Sequence, residues 1–262
     1  MDRPDARRPP PRNPRFGPET VWLFGLHAVR DACLNPRRER LRLILTPNAA
    51  DRLGAEPLAA SGLEPQIADP RRFPAPLDPQ SVHQGAALEV RPLDWGRVED
   101  AAAPRTPQEL VVLLDRVTDP HNVGAVLRSA EVFGARAVIA PARHSAPETG
   151  ALAKTASGAL ERQPYLRVRN LAEAMESLKD LGYAVLGLDG GAPLPLAPAL
   201  GALPPGPVAL ALGAEGPGLR ERTRDTCDAL AAIPSATAFA SLNVSNAAAV
   251  ALYAARLARP LV

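Results

Sequence analysis

The chain has 262 residues, of which 46% are hydrophobic and 4% aromatic, so it can bury a sizeable core built mainly from Ala, Leu and Val. No apolar run reaches the roughly 18 residues of a membrane span, and the N-terminus has no apolar segment typical of a signal peptide. The net charge of +2 says little about partners, and the two cysteines, Cys33 and Cys227, form no disulfide framework, which favours the cytoplasm.

The first 95 residues combine a tail with a small α/β unit. Residues 1–19 are rich in Pro and Arg, a composition typical of a disordered segment that is attracted to polyanions or is a leader without function. Residues 20–95 are predicted to form a domain with helices over 25–34 and around 51–61, and strands over 41–45, 66–67 and 86–90. Residues 96–108 become polar and contain prolines, so a linker is predicted there.

Residues 109–262 alternate between strand and helix patterns. Strands are predicted over 110–114, 137–140, 165–168, 184–188, 208–212 and 229–233. Helices are predicted over 122–133, 150–160, 171–181, 218–228 and 245–257. This alternation predicts an α/β domain with a mostly parallel sheet covered on both faces. Residues 189–207 are rich in Pro and Gly and are predicted to be a long loop.

The first segment with a chemical signature follows the strand at 110–114. Asn122 is predicted to cap the next helix, and a periodic apolar stripe should face the core: Val123, Val126, Leu127 and Ala130. Arg128 lies off that stripe, one turn after Gly124, and its guanidinium can reach back toward the carboxyl end of the strand, where open α/β sheets bind ligands. The alternatives are a plain cap for Asn122 and a solvated surface arginine for Arg128.

Two further segments lie near the C-terminus. The sequence ALALGAEGPGL at 209–219 is a strand, a Gly-rich turn and a helix start; Glu215 is its only carboxylate and is either functional or a helix-start acid. At 233–248, Ser241, Asn243 and Ser245 interrupt an apolar stretch, and Ser245 is predicted to cap the last helix. The sequence contains no metal-ligand cluster, nucleophile–base pair or lysine-bearing phosphate loop. The residues alone therefore predict a small-molecule site of unstated chemistry.

Taken in order, the three segments resemble the three motifs of the SpoU/TrmH family of SPOUT methyltransferases: DPHNVGAVLRSAEVFGA, ALGAEGPGL and IPSATAFASLNVSNAAAVALY. FGLHAV at 24–29 and VHQGAAL at 82–88 resemble the L30e-like RNA-binding domain of the branch that methylates a guanosine of 23S rRNA. The resemblance implies a deep trefoil knot at about 208–250, S-adenosylmethionine as cofactor, and 2′-O-ribose methylation of RNA. It also implies a homodimer formed through the C-terminal domain, with neither DNA nor a membrane as partner.

By motif position, the resemblance assigns five residues to the reactive site: Asn122, Arg128, Glu215, Ser241 and Asn243. It assigns five to the cofactor, largely through backbone atoms: Leu212, Gly213, Gly216, Ile233 and Leu242. Arg128 is expected to stabilise alkoxide charge or to engage a phosphate, since an arginine is too basic to act as a simple base. Glu215 and Asn243 are expected to hold Arg128 and Ser241 in place, and the identity of the base stays open.

RNA contacts are expected from Arg128 and from His83 and Gln84, although a single His in a small domain is also often structural. The family usually has Met and Gly shortly after the Ile-Pro pair, where this chain has Ser235 and Thr237. The Gly-to-Thr change is expected to narrow the backbone freedom beside the cofactor.

Three other functions fit the sequence less well. A tRNA ribose methyltransferase of the same fold is disfavoured because those smaller enzymes lack such an N-terminal domain. A non-catalytic RNA-binding protein is disfavoured because the reactive residues are intact. A nucleotide-dependent oxidoreductase is disfavoured because the G-x-G-x-x-G fingerprint is missing.

Overall fold

The structure is a computed structural model that describes residues 19–78, 81–236 and 242–260. The predicted tail therefore lies outside the described residues, apart from Glu19. Two sheets organise the chain. The first has the strand order β1-β4-β2-β3 and contains β1 (Val21–Phe24), β2 (Arg40–Leu45), β3 (Gln66–Ile67) and β4 (Ala86–Val90). Three helices accompany it: α1 (Leu26–Leu34), α2 (Pro47–Leu53) and α3 (Ala55–Ser61).

The second sheet has the order β10-β8-β9-β5-β6-β7, and every described pair in it is parallel, as predicted. Its strands are β5 (Leu110–Asp115), β6 (Ala135–Pro141), β7 (Tyr165–Val168), β8 (Ala184–Leu188), β9 (Val208–Gly213) and β10 (Ala229–Ala231). The remaining helices are α4 (Val98–Ala101), α5 (Pro120–Val132), α6 (Gly150–Ala156), α7 (Ala159–Arg162), α8 (Leu171–Asp180), α9 (Leu196–Ala202), α10 (Glu221–Thr226) and α11 (Val244–Ala258). Because β5 and β9 pair in the middle of the sheet, the two segments that follow them meet at its carboxyl edge.

The two faces of this sheet bury different side chains of the same strand. In β5, Leu110, Val112 and Leu114 belong to the core cluster that contains residues of α5 and α11, whereas Val111 and Leu113 belong to the cluster beneath α8. This alternation has the period of two expected for an extended strand. A sheet covered on both faces is therefore confirmed.

The two sheets are joined by α6, which packs on β1. A Cβ on Gly150 would overlap the carbonyl oxygen of Trp22 and the ring of Phe24. Close by, the buried Arg38 forms ion pairs with Glu148 (2.5 Å) and Glu161 (2.6 Å). Burial opposes the charge, but these carboxylates raise the pKa of Arg38 above its usual value. One continuous core therefore extends across both sheets.

Several predicted elements differ in extent. The helix around 51–61 is two helices broken at Gly54, where φ is +85°. The helix over 150–160 is broken at Ser157 and Gly158, which have left-handed conformations. The predicted helix over 218–228 covers only Glu221–Thr226, and the predicted strand over 229–233 ends at Ala231.

Two segments contain helices that the sequence did not predict. Residues 189–207 include α9, whose buried Leu196, Ala199 and Leu200 have helical spacing, so the prediction of a long loop is wrong. Residues 96–108 include α4, and Val98 and Ala102 are buried in the cluster beneath α8. Among the described residues, no helix is long and apolar enough to cross a membrane.

Candidate active site

Helix α5 begins earlier than predicted. The Asp119 side chain accepts a hydrogen bond from the amide of His121 (2.9 Å), and Pro120 occupies the first turn, so Asp119 is the cap. The prediction that Asn122 caps this helix is therefore wrong. Its amide is left free to face the neighbouring β9 loop. The predicted apolar stripe is confirmed, since all four of its side chains are fully buried: Val123, Val126, Leu127 and Ala130.

The loop after β9 folds tightly back on its strand. The Gly218 amide donates to the Ala214 carbonyl (2.9 Å), and Gly216 and Gly218 have positive φ angles of 84° and 68°. A Cβ on Gly213 would overlap the backbone of Gly218 and Leu219. Only glycine fits at this position, and the resulting turn presents Glu215 at the carboxyl edge of the sheet.

Helix α11 begins at Val244, and Asn243 is its cap. The Asn243 Oδ1 accepts from the Ser245 amide (2.9 Å) and from the Ser245 hydroxyl (2.6 Å). The prediction that Ser245 caps this helix is therefore wrong. Because Oδ1 serves the helix, the amide nitrogen of Asn243 is directed outward as a donor.

Three hydrogen-bonded side chains unite the three segments. Asn243 Nδ2 donates to Glu215 Oε1 (2.6 Å) and to Asn122 Oδ1 (2.9 Å), and Asn122 Nδ2 also donates to Glu215 Oε1 (3.2 Å). The Val244 amide lies 3.4 Å from the same oxygen. One oxygen of Glu215 thus takes several donors, and we call Asn122, Glu215 and Asn243 the edge triad.

Arg128 does not join the edge triad. It is exposed, and it makes no hydrogen bond or ion pair with any residue that the structure describes. Nor does Gly124 open a path for it: a Cβ there would lie 2.8 Å from Thr155 Cβ and 2.9 Å from the Ala156 nitrogen, so this glycine packs against α6. That the Arg128 guanidinium reaches back toward the carboxyl end of β5 stays a prediction. Of the five predicted reactive residues, Ser241 lies outside the described residues, as does Thr237.

The five predicted cofactor residues surround the same edge. Leu212 is buried at the end of β9, so only its backbone is available to a ligand, and Gly213 and Gly216 lie in the following turn. Ile233 is half-buried two residues after β10, and the side chain of Leu242 is 49% exposed beside the edge triad.

His83 and Gln84 have structural partners in the first unit. The His83 ring stacks on Phe73 at a centroid distance of 4.2 Å, and its Nδ1 accepts from the Gly85 amide (3.1 Å). Gln84 is exposed, but its Oε1 accepts from the Leu26 amide (3.1 Å) at the start of α1. The two segments FGLHAV and VHQGAAL therefore meet at this point.

Sequence reasoning missed Asp115 and a basic cleft. Asp115 is fully buried, and its carboxylate accepts from the Arg220 backbone amide (2.9 Å) and from Arg220 Nε (2.7 Å). A charged residue ending an otherwise apolar strand was the available signal. Beside Arg220 lies an open cavity of about 530 Å³ at the ends of β6 and β7, which we call the β6–β7 cleft and which is lined by Pro141, Arg143, His144, Arg169, Asn170, Leu171, Glu173 and Arg220. Within the described ranges, no group of His, Cys, Asp and Glu could hold a metal ion.

Known proteins resemble the chain in both sequence and structure. Residues 109–253 match the family model described as the SpoU rRNA Methylase family. The 23S rRNA (guanosine-2'-O-)-methyltransferase RlmB of Vibrio vulnificus is 38% identical over 242 residues, covering 89% of this chain and 95% of that protein. The uncharacterized tRNA/rRNA methyltransferase slr0955 of Synechocystis is 36% identical over 253 residues, covering 94% of this chain and 65% of that protein.

Among solved structures, the SpoU methyltransferase AviRb from Streptomyces viridochromogenes has a TM-score of 0.76 at 23% identity, covering 92% of this chain and 90% of that one. Its complex with the cofactor AdoMet has a TM-score of 0.74 at 23% identity, covering 90% and 89%. These likenesses concern the fold. Because the family model spans more than half of the chain and the Vibrio relative is similar over most of both sequences, this chain belongs to the SpoU rRNA methylase family.

Proposed function

We propose that the chain transfers a methyl group from S-adenosylmethionine to the ribose 2′-hydroxyl of a guanosine in 23S rRNA. The edge triad carries the proposal, because it draws one side chain from each family motif into one hydrogen-bonded cluster. The Vibrio relative, which is named for this reaction, supports the choice of RNA and nucleotide.

The residues around the triad fit the proposed donor. An adenosine needs apolar surface and backbone hydrogen-bonding groups, and the half-exposed Leu242, the half-buried Ile233 and the backbone of Gly213 and Gly216 offer both. The bound donor would supply a methyl group already activated by its sulfonium. AviRb, a protein of the same fold, was solved in complex with AdoMet, which supports this assignment.

The remaining task for the protein is to orient a weakly acidic hydroxyl. Transfer would form a bond between the methyl carbon and the 2′-oxygen and break the methyl–sulfur bond of the donor, and the hydroxyl proton would pass to a base other than Arg128. Fixed alignment of this kind is worth about 7–11 kcal/mol in favourable cases. We assign that role to the triad, with Glu215 held by Asn122 and Asn243 and its second carboxylate oxygen facing the substrate. Ser241 belongs to the same proposed site by motif position.

Arg128 is assigned to the RNA. It is exposed and has no partner among the described residues, so its guanidinium is free to meet a phosphate or the developing charge on the 2′-oxygen. A permanent cation suits either role better than the role of a base.

We further propose that residues 208–250 form a trefoil knot. The support is the position of residues 194–206 between two later parts of the chain. The Leu196 amide donates to the Ala232 carbonyl (2.8 Å) just after β10, and the Arg259 guanidinium donates to the Leu200 carbonyl (3.2 Å) after α11. Residues 194–206 thus contact the chain both before and after residues 233–258, as expected if the C-terminal segment passes through a loop.

We propose that the C-terminal domain forms a homodimer. Helix α11 exposes Val250, Tyr253 and Leu257 along one face, and the end of α5 exposes Val132 beside it, at 77% of its surface. Exposed apolar side chains on two helices that pack together are typical of a protein interface. Replacing Tyr253 with Arg should convert a dimer into a monomer in light scattering, whereas Val82→Arg, at an equally exposed apolar site in the first unit, should not.

Residues 20–95 are proposed to bind RNA as an L30e-like domain, joined through residues 96–108 to the methyltransferase domain. Two neighbouring residues of α6 support an RNA surface shared by the two units. Lys154 Nζ lies 6.0 Å from the ring centroid of Phe24 in the first unit, and Thr155 Oγ1 lies 3.1 Å from Nδ1 of His121, one residue before Asn122. We propose the cytoplasm as the site of the reaction, and we assign the tail no role.

The direct test measures methyl transfer from labelled donor to a 23S rRNA fragment and to unmodified tRNA. We expect label in the 23S fragment at one position that resists alkaline cleavage, and loss of this label in Arg128→Ala. The matched control is Arg105→Ala, which removes an exposed arginine from the opposite edge of the sheet. Label in tRNA alone would establish a tRNA ribose methyltransferase instead. Donor binding without transfer to either RNA would refute the proposed reaction.

A further inference from the structure

We propose that the β6–β7 cleft binds phosphates of the RNA strand next to the methylated nucleotide. This inference rests on the proposed function and names a second contact site for the same substrate. Neither the reactive site nor the N-terminal domain accounts for the cleft.

The cleft carries more positive than negative charge. Arg143 and Arg169 are exposed and make no hydrogen bond or ion pair with other described residues. Arg220 contributes a third guanidinium, although Asp115 pairs with it, and Glu173 is the one carboxylate in the lining. Two unpaired arginines at one concavity are suited to phosphate oxygens.

The loop that presents Arg143 is fixed before any ligand arrives. Its start is tied to β7 by a hydrogen bond from the Ala142 amide to the Val168 carbonyl (2.7 Å), and its end by one from the Tyr165 hydroxyl to the Ala146 carbonyl (2.7 Å). Between them, His144 has a left-handed backbone with φ of 59°. A non-glycine residue in this region is strained, and such strain is concentrated at binding sites.

The cations follow the order of the strands. Arg116 comes directly after β5, Arg143 after β6, and Arg169 after β7, all at the carboxyl edge. Arg116 is also exposed, and its φ of 62° is left-handed. Since neighbouring strands lie about 4.8 Å apart, these side chains form a row across roughly 10 Å of the sheet edge. A row of cations fits a polyanionic strand better than a single small anion.

The first residue of this row, Arg116, and Asn122 of the edge triad both follow β5. Asn122 follows β5 on the α5 side of the sheet, whereas Arg169 and Glu173 lie on the α8 side of the same edge. An RNA strand whose ribose lies at Asn122 can therefore continue over Arg116 toward the cleft. Contacts of this kind fix position and register without reading the bases.

The test measures binding of the full chain to a fluorescein-labelled uridine oligomer by anisotropy over a range of salt concentrations. Phosphate contacts are independent of sequence, so this probe tests the cleft even if the methylated RNA is another one. Arg143→Ala and Arg169→Ala should each weaken binding about two- to fivefold. Each should also reduce the slope of log affinity against log salt by roughly 0.7, and the double variant by twice that amount.

Two further variants separate the cleft from a general effect of charge or folding. Arg105→Ala, on the opposite edge, should leave both the affinity and the slope unchanged. Glu173→Gln removes the lone carboxylate of the cleft and should tighten binding, which damage to the fold cannot imitate. The proposal is overturned if the double variant binds like Arg105→Ala, or if Glu173→Gln fails to tighten binding.

Methyl transfer by the same proteins keeps the two proposals apart. The double variant should raise KM for the 23S fragment and leave kcat unchanged at saturating RNA, because the cleft binds ground state and transition state equally. A lower kcat at unchanged KM would overturn the binding role. If the wild-type chain transfers no methyl group, the proposed reaction fails, and the oligomer titrations still decide whether the cleft binds phosphates.

Discussion

Replacing Arg38 with Met should destabilise the whole chain far more than an ordinary surface substitution. The Arg38 side chain has no exposed surface, and it donates to Glu148 (2.5 Å), to both oxygens of Glu161 (2.6 and 3.0 Å) and to the Arg91 carbonyl (2.8 Å). Met has a similar length but no charge, so two carboxylates would remain buried without their cation. Breaking a buried pair in this way costs about 3–5 kcal/mol.

The loss should appear in thermal and urea unfolding. For a chain of this size, each kcal/mol lowers Tm by about 2–4 °C, so the expected decrease is about 6–20 °C. The control is Arg97→Met, which removes an exposed pair with Glu99 (3.1 Å, with 57% and 41% of the side chains exposed) and should cost less than about 1 kcal/mol. Combining Arg38→Met with Glu161→Leu and Glu148→Gln should recover much of the stability, because no unpaired carboxylate remains.

The size of the loss should depend on pH. Burial raises the pKa of Glu148 above its usual value, and Arg38 opposes that rise. A raised pKa in the folded state means that stability decreases as pH rises from the unfolded value through the folded one. Without Arg38 the folded pKa rises further, so Arg38→Met should lose more stability at pH 8 than at pH 5. An equal loss at both pH values, or a loss below about 1 kcal/mol at pH 8, would contradict the reasoning.

Three other substitutions or treatments test the site and the core. Glu215→Ala should reduce kcat/KM by roughly a hundredfold, because the edge triad aligns the substrate hydroxyl, while Tm changes little because Glu215 is exposed. Steady-state kinetics and thermal melts would check this, and near-normal activity would exclude the alignment role. Gly124→Ala should cost about 1–3 kcal/mol in urea unfolding, because its Cβ would lie 2.8 Å from Thr155 Cβ; an unchanged midpoint would show that α6 moves away freely. Burial raises the pKa of the Cys33 and Cys227 thiols to about 12, so both should react with a disulfide reagent at pH 8 much more slowly in the native chain than in the unfolded chain. Rapid labelling of the native chain would contradict the raised pKa values.

The sequence predicts the framework of the catalytic half well, because its signals are local. Apolar strands alternating with periodic helices lead directly to the parallel sheet, and the stripe from Val123 to Ala130 is buried as its spacing predicts. The helix starts were less accurate, because several capping residues compete. The cap of α5 is Asp119 and not Asn122, and the cap of α11 is Asn243 and not Ser245. Each accepts a hydrogen bond from the amide two residues ahead.

Contacts between distant segments could not be predicted from local patterns. The predicted helix over 150–160 is interrupted at Gly158, which lies so close to Asp31 that a Cβ would overlap the carboxylate. The sequence around residue 158 contains no sign of this contact. In the candidate site, the motifs identified Asn122, Glu215 and Asn243, but not that the two amides rather than Arg128 would hold the carboxylate. The β6–β7 cleft was missed for the same reason, since Arg143, Arg169 and Arg220 come from three separate loops.

The tight seam between α6 and the first sheet limits how this enzyme can be recombined. The backbone of Gly150 touches Trp22 and Phe24, and the buried Arg38 reaches across the seam to carboxylates of the other half. A chimera that takes its first sheet from one relative and its methyltransferase half from another would need matching small residues and matching charges on both sides. We expect such hybrids to fold only when the contact residues on both sides of the seam come from the same relative.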